Sequence, residues 1–269
     1  MAIKVAVAQF TAGLDTDENA RQCAELVATS AGEGADLAVL PEASMFFDPA
    51  KEQADRPHGQ TLDGEFVAAV AEAAKAHGIA VLVGLSESLP GRRDDKRDSN
   101  TVVVVSATGE TLGAYRKIHL YDAFGYRESE QIRPGEIGQP LVFQVGDISV
   151  GVLTCYDLRF PEAFRWVTDA GADLIAVPAA WAVGPAKEDH WRTLVRARAI
   201  ENTIYVAAAG QTGPPSCGQS IVVDPMGVEL ANAGERPGVA VASVSQQRLE
   251  QVRQVNPSLR NRRFKVLPR

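Results

Sequence analysis

GADLAVLPEAS at residues 34–44 and GADLIAVPAAW at residues 171–181 share a Gly-Ala-Asp-Leu opening, an apolar run and then a proline. Each reads as chain leaving a helix and entering a buried strand, because the apolar run is continuous rather than alternating. Working outward, IKVAVAQF (3–10) corresponds to ISVGVLTCYD (148–157), both rich in β-branched residues. Between these strands lie helical patterns. Ala20, Cys23, Ala24, Val27 and Ala31 share one face at 3.6-residue spacing, with a counterpart over 161–170. Second helices carry Phe66, Val67, Val70, Ala73 and Ala74 in the first half, and Trp191, Leu194, Val195 and Ala199 in the second. Hairpins follow in both halves, through GIAVLVGLSES and TVVVVSATGETLGAYRK, then through TIYVAAAGQTG and GQSIVVDPMGVELANAG. Thr108-Gly109 and Met226-Gly227 stand at matching turns. A β-α-β-α-β-β order that occurs twice predicts two sheets face to face with helices outside. That is an α/β fold, a four-layer α-β-β-α sandwich with an internal pseudo-two-fold duplication. The expected domain covers residues 1–247. Residues 248–269, with seven basic side chains and one acidic, read as an appended C-terminal arm. PGRRDDKRDSN (90–100) reads as an exposed loop.

With 45% hydrophobic residues in 269, the chain can bury a full core. No apolar stretch reaches the roughly 18 residues of a membrane span, and the best candidate, 174–183, is interrupted by Pro178. The N-terminus runs directly into a strand without a cleavage site of small residues, so no export signal is expected. Cys23, Cys155 and Cys217 are odd in number and form no CxxC pair, which argues for a reducing, cytoplasmic setting over a disulfide framework. The four histidines are equally scattered, and neither a metal nor a cofactor is expected. A net charge of -7 and a pI near 5.2 disfavour nucleic acid and anionic membranes as partners. A small molecule is the expected ligand.

The ends of the buried strands are where open α/β structures present reactive groups. Glu42 and Cys155 stand at two such ends. Cys155 precedes a helix starting near Pro161, where backbone N–H groups favour a thiolate. Taken alone it reads more readily as a small buried apolar residue, as most free cysteines are. Glu42 directly follows an apolar run, an expensive position for a carboxylate without a positive or hydrogen-bonding neighbour. Lys117, ending the strand-like TLGAYRK, can be that neighbour and could neutralise an oxyanion. A helix cap, a surface ion pair or a solvated strand end is the plainer reading of either residue.

VLPEAS around Glu42, YRKIHLYD around Lys117 and GVLTCYDLRFPE around Cys155 resemble, in order and spacing, the three signature motifs of the nitrilase superfamily of carbon-nitrogen hydrolases. HWRTLVRARAIENTIYVAAA and GQSIVVDPMG resemble its second half, so the likeness runs from about residue 3 to the arm. The resemblance implies the same four-layer sandwich. It places the general base on Glu42, the oxyanion-stabilising lysine on Lys117 and the nucleophile on Cys155. A further glutamate falls on Glu128 or Glu130, with the preceding residues favouring Glu128. The backbone N–H of Tyr156 is implied as a second oxyanion donor, and a homodimer with the arm near its interface is implied as the assembly.

Cys155-Tyr156-Asp157, in place of the Cys-Trp-Glu typical of true nitrilases, points to an amidase, and CYDLRFPE, ARAIEN and the basic tail resemble the ω-amidase and deaminated glutathione amidase branch. A small carboxylate-bearing amide, hydrolysed through a cysteine thioester, is the expected substrate. AWAVGPAKEDHW (180–191) departs from that branch in the loop that shapes the pocket. Substrate contacts are therefore expected from Tyr156, Arg159, Ala180, Trp181, Lys187 and Arg192. Lys187 and Arg192 are the better placed to read a distant carboxylate, Arg159 reads equally well as an ion-pair partner of Glu162 or Asp157, and of Arg196 and Arg198, on opposite sides of their helix, at most one can face the pocket. Hydrolysis of N-carbamoyl amides or nitriles on the same residues, and a non-catalytic binding subunit, are the rival readings.

Overall fold

The computed structural model describes residues 2–50, 58–89, 95 and 97–267. Most of the charged segment 90–100 lies outside the described residues, but its end is not the expected exposed loop, since Ser99 and Asn100 open a strand and Ser99 is buried. The first half runs β1 (Ala2–Gln9), α1 (Thr16–Gly32), β2 (Leu37–Val39), α2 (Glu65–His77), β3 (Ala80–Glu87), β4 (Ser99–Val105) and β5 (Thr111–Arg116). A two-residue ribbon follows, β6 (Asp122–Ala123) and β7 (Tyr126–Arg127). The second half runs β8 (Val142–Val145), β9 (Ile148–Val152), α3 (Pro161–Asp169), β10 (Leu174–Ala179), α4 (Lys187–Asn202), β11 (Tyr205–Gly210), β12 (Ile221–Val223) and β13 (Glu229–Asn232). It closes with β14 (Gly238–Ser245) and α5 (Gln246–Val255).

Two six-stranded sheets result, ordered β14-β1-β2-β3-β4-β5 and β13-β12-β11-β10-β9-β8. In each, three parallel strands (β1, β2, β3 and β9, β10, β11) continue into two antiparallel ones, as the duplicated reading requires. The sixth strand is recruited differently. β8 precedes its partner β9 in the chain, whereas β14 returns from the far end to pair with β1.

Residue alternation within the first sheet distributes its two faces. Val5, Val7, Leu37 and Val39 point between the sheets, while Ala6, Ala8, Ala38 and Leu40 face α1 and α2. Burial on both faces explains the unbroken apolar runs, each enclosed valine or leucine contributing about 1.5–3 kcal/mol. Pro178 is tolerated in the central strand β10 because pairing with β9 ends at Ala176, two residues earlier. The segment after residue 247 begins as part of α5, whose Leu249 and Val252 are buried and whose Arg253 and Arg248 reach Asp173 and Asp224 at 3.0 and 2.7 Å. Beyond it Phe264 and Leu267 are exposed.

Candidate active site

The site forms where the C-terminal ends of β2, β5, β9 and β10 converge. Glu42 lies two residues past Leu40, in a turn whose Ala43 has a left-handed φ of 55°. Gly84 of β3 backs this turn so closely that a Cβ there would stand 2.7 Å from Glu42 Cα and Pro41 O. Lys117 follows β5, its N–H donating to Asn100 O at 2.8 Å. Glu128 sits in a short 3-10 turn, Glu128–Glu130, that leaves Glu128 buried and Glu130 exposed.

Cys155 opens a second 3-10 turn, Cys155–Arg159, with a left-handed φ of 43°. A non-glycine residue holds such a conformation only when its surroundings over-determine it. Asp157 does so here. Fully buried, its Oδ2 accepts from Thr154 N at 2.9 Å and Tyr115 OH at 2.7 Å, and its Oδ1 accepts from His119 Nδ1 at 2.7 Å and His119 N at 3.2 Å. The His119 ring stacks on Phe160 at 3.7 Å, fixing the far side of the turn.

Glu42 and Lys117 are 4% and 2% exposed, so their pairing is nearly unscreened. Lys117 Nζ donates to Glu42 Oε1 at 2.8 Å and to Glu128 Oε2 at 2.9 Å. Asn100 Nδ2 donates to Glu42 Oε1 at 2.7 Å and to Glu128 Oε1 at 2.9 Å, and Tyr121 N reaches Glu128 Oε2 at 2.6 Å. The other Glu42 oxygen accepts from Ala180 N at 2.7 Å, while the Cys155 thiol also hydrogen-bonds this carboxylate. Ala180 and Ala43 are equivalent in the two repeats, so the duplicated strand ends meet at this point.

Burial alone would raise the Glu42 carboxyl. The Lys117 charge and the hydrogen bonds from Lys117, Cys155 and Asn100 outweigh it and hold the group below its ordinary value. Burial would likewise neutralise Lys117, but the Glu42 and Glu128 carboxylates carry it well above the usual lysine range. The Cys155 thiol is pushed well up by burial and by the Glu42 charge, against the pull of Lys117. The resting state is thus a neutral thiol beside a carboxylate and an ammonium. Such a carboxylate can take the proton as the sulfur attacks, and the ammonium can receive the charge that develops on a carbonyl oxygen.

These groups floor a cavity of about 280 Å³ walled by Phe46, Phe47, Leu85, Tyr126 and Trp181. Ala180, Trp181, Arg159 and Lys187 also line it. Lys187 Nζ donates to Tyr121 OH at 2.8 Å and lies 3.4 Å from the Phe124 ring centre. The Arg159 guanidinium stands 4.9 Å over Trp181, not against Glu162 or Asp157, and its buried Nε has no hydrogen-bond partner among the described residues. Tyr156 packs edge-on against Tyr121 at 5.1 Å and is not in the cavity lining. Arg192 does not belong to the cavity. Five residues beyond Lys187 on α4, it is rotated about 140° around the helix, and it binds Glu229 at 2.8 Å on the outer surface. Arg196 and Arg198 are turned to Gly227 O and Leu158 O. Asn100, Tyr121 and Asp157 were not singled out from the sequence, although the last two lie inside the quoted motifs.

Residues 4–254 match the carbon-nitrogen hydrolase family. The chain belongs to that family. The deaminated glutathione amidase of Escherichia coli O157:H7 is 40% identical over 261 residues, covering 97% of each chain. The C. elegans NitFhit protein superposes with a TM-score of 0.86 at 30% identity, over 98% of this chain and 66% of that one. A glutamate-to-glutamine variant of the amidase from Nesterenkonia sp. AN1, 30% identical, matches with a TM-score of 0.76 over 94% of this chain and 97% of its own. That structure carries acrylamide added at the active site cysteine. This carbon-nitrogen hydrolase is an enzyme acting on amides, a cysteine-dependent amidase, and the nitrile, carbamoyl and non-catalytic readings are not favoured.

Proposed function

We propose that Cys155 is the nucleophile of this amidase, Glu42 its general base and acid, and Lys117 its oxyanion-stabilising cation. Glu128 holds Lys117 in place. The observation that carries this is the convergence of a buried thiol, carboxylate and ammonium in one hydrogen-bonded cluster at the floor of a cavity. As sulfur attacks the amide carbonyl, Glu42 takes the thiol proton and Lys117, with the Tyr156 N–H, meets the oxyanion. Glu42 then gives its proton to the nitrogen, ammonia leaves, and a thioester remains. Water, deprotonated by Glu42, adds to the thioester. Collapse expels the sulfur, which recovers its proton, and releases the carboxylic acid.

The substrate is a small amide carrying a carboxylate away from its reacting end. Lys187 and Arg159 support this, because neither pairs with a carboxylate among the described residues and both border the cavity. The enzyme works as a cytoplasmic homodimer. Three free buried thiols support a reducing compartment, and exposed Phe264 and Leu267 on the C-terminal arm support its burial by a second copy. Ammonia release should be measured with ω-monoamides of dicarboxylic acids, neutral amides of equal length, N-carbamoyl amino acids and nitriles. The highest kcat/KM is expected for the ω-monoamides, and equal rates on neutral amides would remove the carboxylate from the proposal.

A further inference from the structure

We infer that Asn100 is a positioning residue that fixes which oxygen of Glu42 exchanges the proton with Cys155, an inference that rests on Glu42 being the base. A carboxylate oxygen has two in-plane lone pairs. Both of those on Glu42 Oε1 are taken, by Asn100 Nδ2 at 2.7 Å and Lys117 Nζ at 2.8 Å. Oε2 accepts from Ala180 N at 2.7 Å and keeps its second pair for the thiol proton. Without Asn100 the carboxylate gains a free pair on the wrong oxygen and one less constraint on its plane.

The same amide group spans the two carboxylates. Its Nδ2 also donates to Glu128 Oε1 at 2.9 Å, so its two hydrogens serve a pair of anions that would otherwise repel each other around a single ammonium. Two acceptor-only partners also determine that the nitrogen, not the oxygen, of the side-chain amide faces them. Asn100 O accepts from Lys117 N at 2.8 Å, which sets the amide and the ammonium in one register at the ends of neighbouring strands. Asn100 therefore organises three of the groups assigned to chemistry without itself meeting the substrate's reacting atoms. A donor to the charged form of Glu42 also lowers its proton affinity, so removing that donor moves the requirement for ionised Glu42 to higher pH.

Three variants separate shape from donation. Asn100→Asp keeps the shape but exchanges the donor for a third anion. Asn100→Ala removes the group, and Asn100→Ser leaves one hydroxyl donor should either of the others fail to fold. Each is compared with wild type in kcat, KM, melting temperature and the pH dependence of both kcat/KM and Cys155 alkylation by iodoacetamide. The expected result is a fall in kcat of roughly 10- to 100-fold, with KM changed less than about threefold. The acid limb of both profiles should move up by about one pH unit. Asn100→Asp should be the most impaired and Asn100→Ser the least. Unmoved acid limbs overturn the inference even if kcat falls, because a structural role alone would lower kcat without retuning Glu42. Cys155→Ala and Glu42→Gln are run alongside. If either retains turnover, the reading of the whole site fails and takes this inference with it; if both are inactive and the Asn100 limbs stay put, only the role of Asn100 is lost.

Discussion

Replacing Lys117 by methionine removes one charge from a buried cluster while nearly preserving volume. In the native site that charge is shared between two carboxylates at 2.8 and 2.9 Å, with the lysine only 2% exposed. Breaking a buried pair by deleting one partner costs about 3–5 kcal/mol, chiefly because the remaining charge stays desolvated. For a chain of this size that corresponds to a melting temperature lower by roughly 6–20 °C at pH 7. The pH dependence gives the sharper test. With Lys117 present the folded Glu42 has a depressed pKa, so its stabilising contribution is full above the unfolded carboxylate value and is lost as pH falls through the folded one. With methionine the burial cost is opposed only by the remaining hydrogen bonds, and the folded pKa rises from its native, depressed position. Relative to the native protein, the variant is then penalised at neutral pH and relieved on acidification. The gap in melting temperature between the two proteins should accordingly narrow from pH 7 to pH 5, and kcat should fall by about 10²–10³ with the loss of an oxyanion donor. Thermal unfolding followed by circular dichroism across that range, with steady-state ammonia release, measures both. A gap that is absent at pH 7, or constant with pH, refutes the electrostatic account of the cluster.

Iodoacetamide should alkylate Cys155 before the other thiols, since Cys155 lines the cavity beside a carboxylate that can take its proton, whereas Cys23 is fully enclosed and neither Cys23 nor Cys217 lines the cavity; peptide mapping gives the order, and inactivation with Cys155 unmodified would contradict it. Gly84→Ala should displace the Glu42 turn, because its Cβ would lie 2.7 Å from backbone atoms, and should lower kcat about 10²-fold with the fold retained by circular dichroism; wild-type turnover would show the close approach to be irrelevant. Lys187→Ala and Arg159→Ala should each narrow the preference for ω-monoamides over neutral amides by about tenfold in kcat/KM, while Arg192→Ala, which loses only a surface pair with Glu229, leaves it unchanged. A preference that responds to Arg192 instead would relocate the carboxylate site.

The duplicated core was legible because parallel strands buried on both faces carry continuous apolar runs, and GADLAVL and GADLIAV could be matched residue for residue. The sixth strand of each sheet was not. β14 joins β1 across the length of the chain, and nothing in GVAVASVS states that partner. Their positions at the ends of buried strands made Glu42, Lys117 and Cys155 candidates, but each alone also fits a structural role, and it is the three motifs in order that single them out. Asn100 carries no charge and closes the segment 90–100 that reads as an exposed loop, whereas it lies in β4; only the geometry shows it between two carboxylates. Asp157 was quoted within a motif, yet its work of holding the Cys155 turn depends on Tyr115 and His119, which no spacing rule brings to it. Arg192 was misplaced for a simpler reason. Lys187 and Arg192 read as flanking a helix start beside the pocket loop, but α4 begins at Lys187 itself, and five residues on the helix turn Arg192 away.

Mass spectrometry of enzyme quenched in acid during turnover of an ω-monoamide tests the central claim most directly, since a thioester survives acid. The account predicts a protein heavier by the acyl group, with the added mass on the peptide containing Cys155 and absent from Cys155→Ala. Sustained ammonia release by Cys155→Ala, or an acyl group mapped to any other residue, would contradict it.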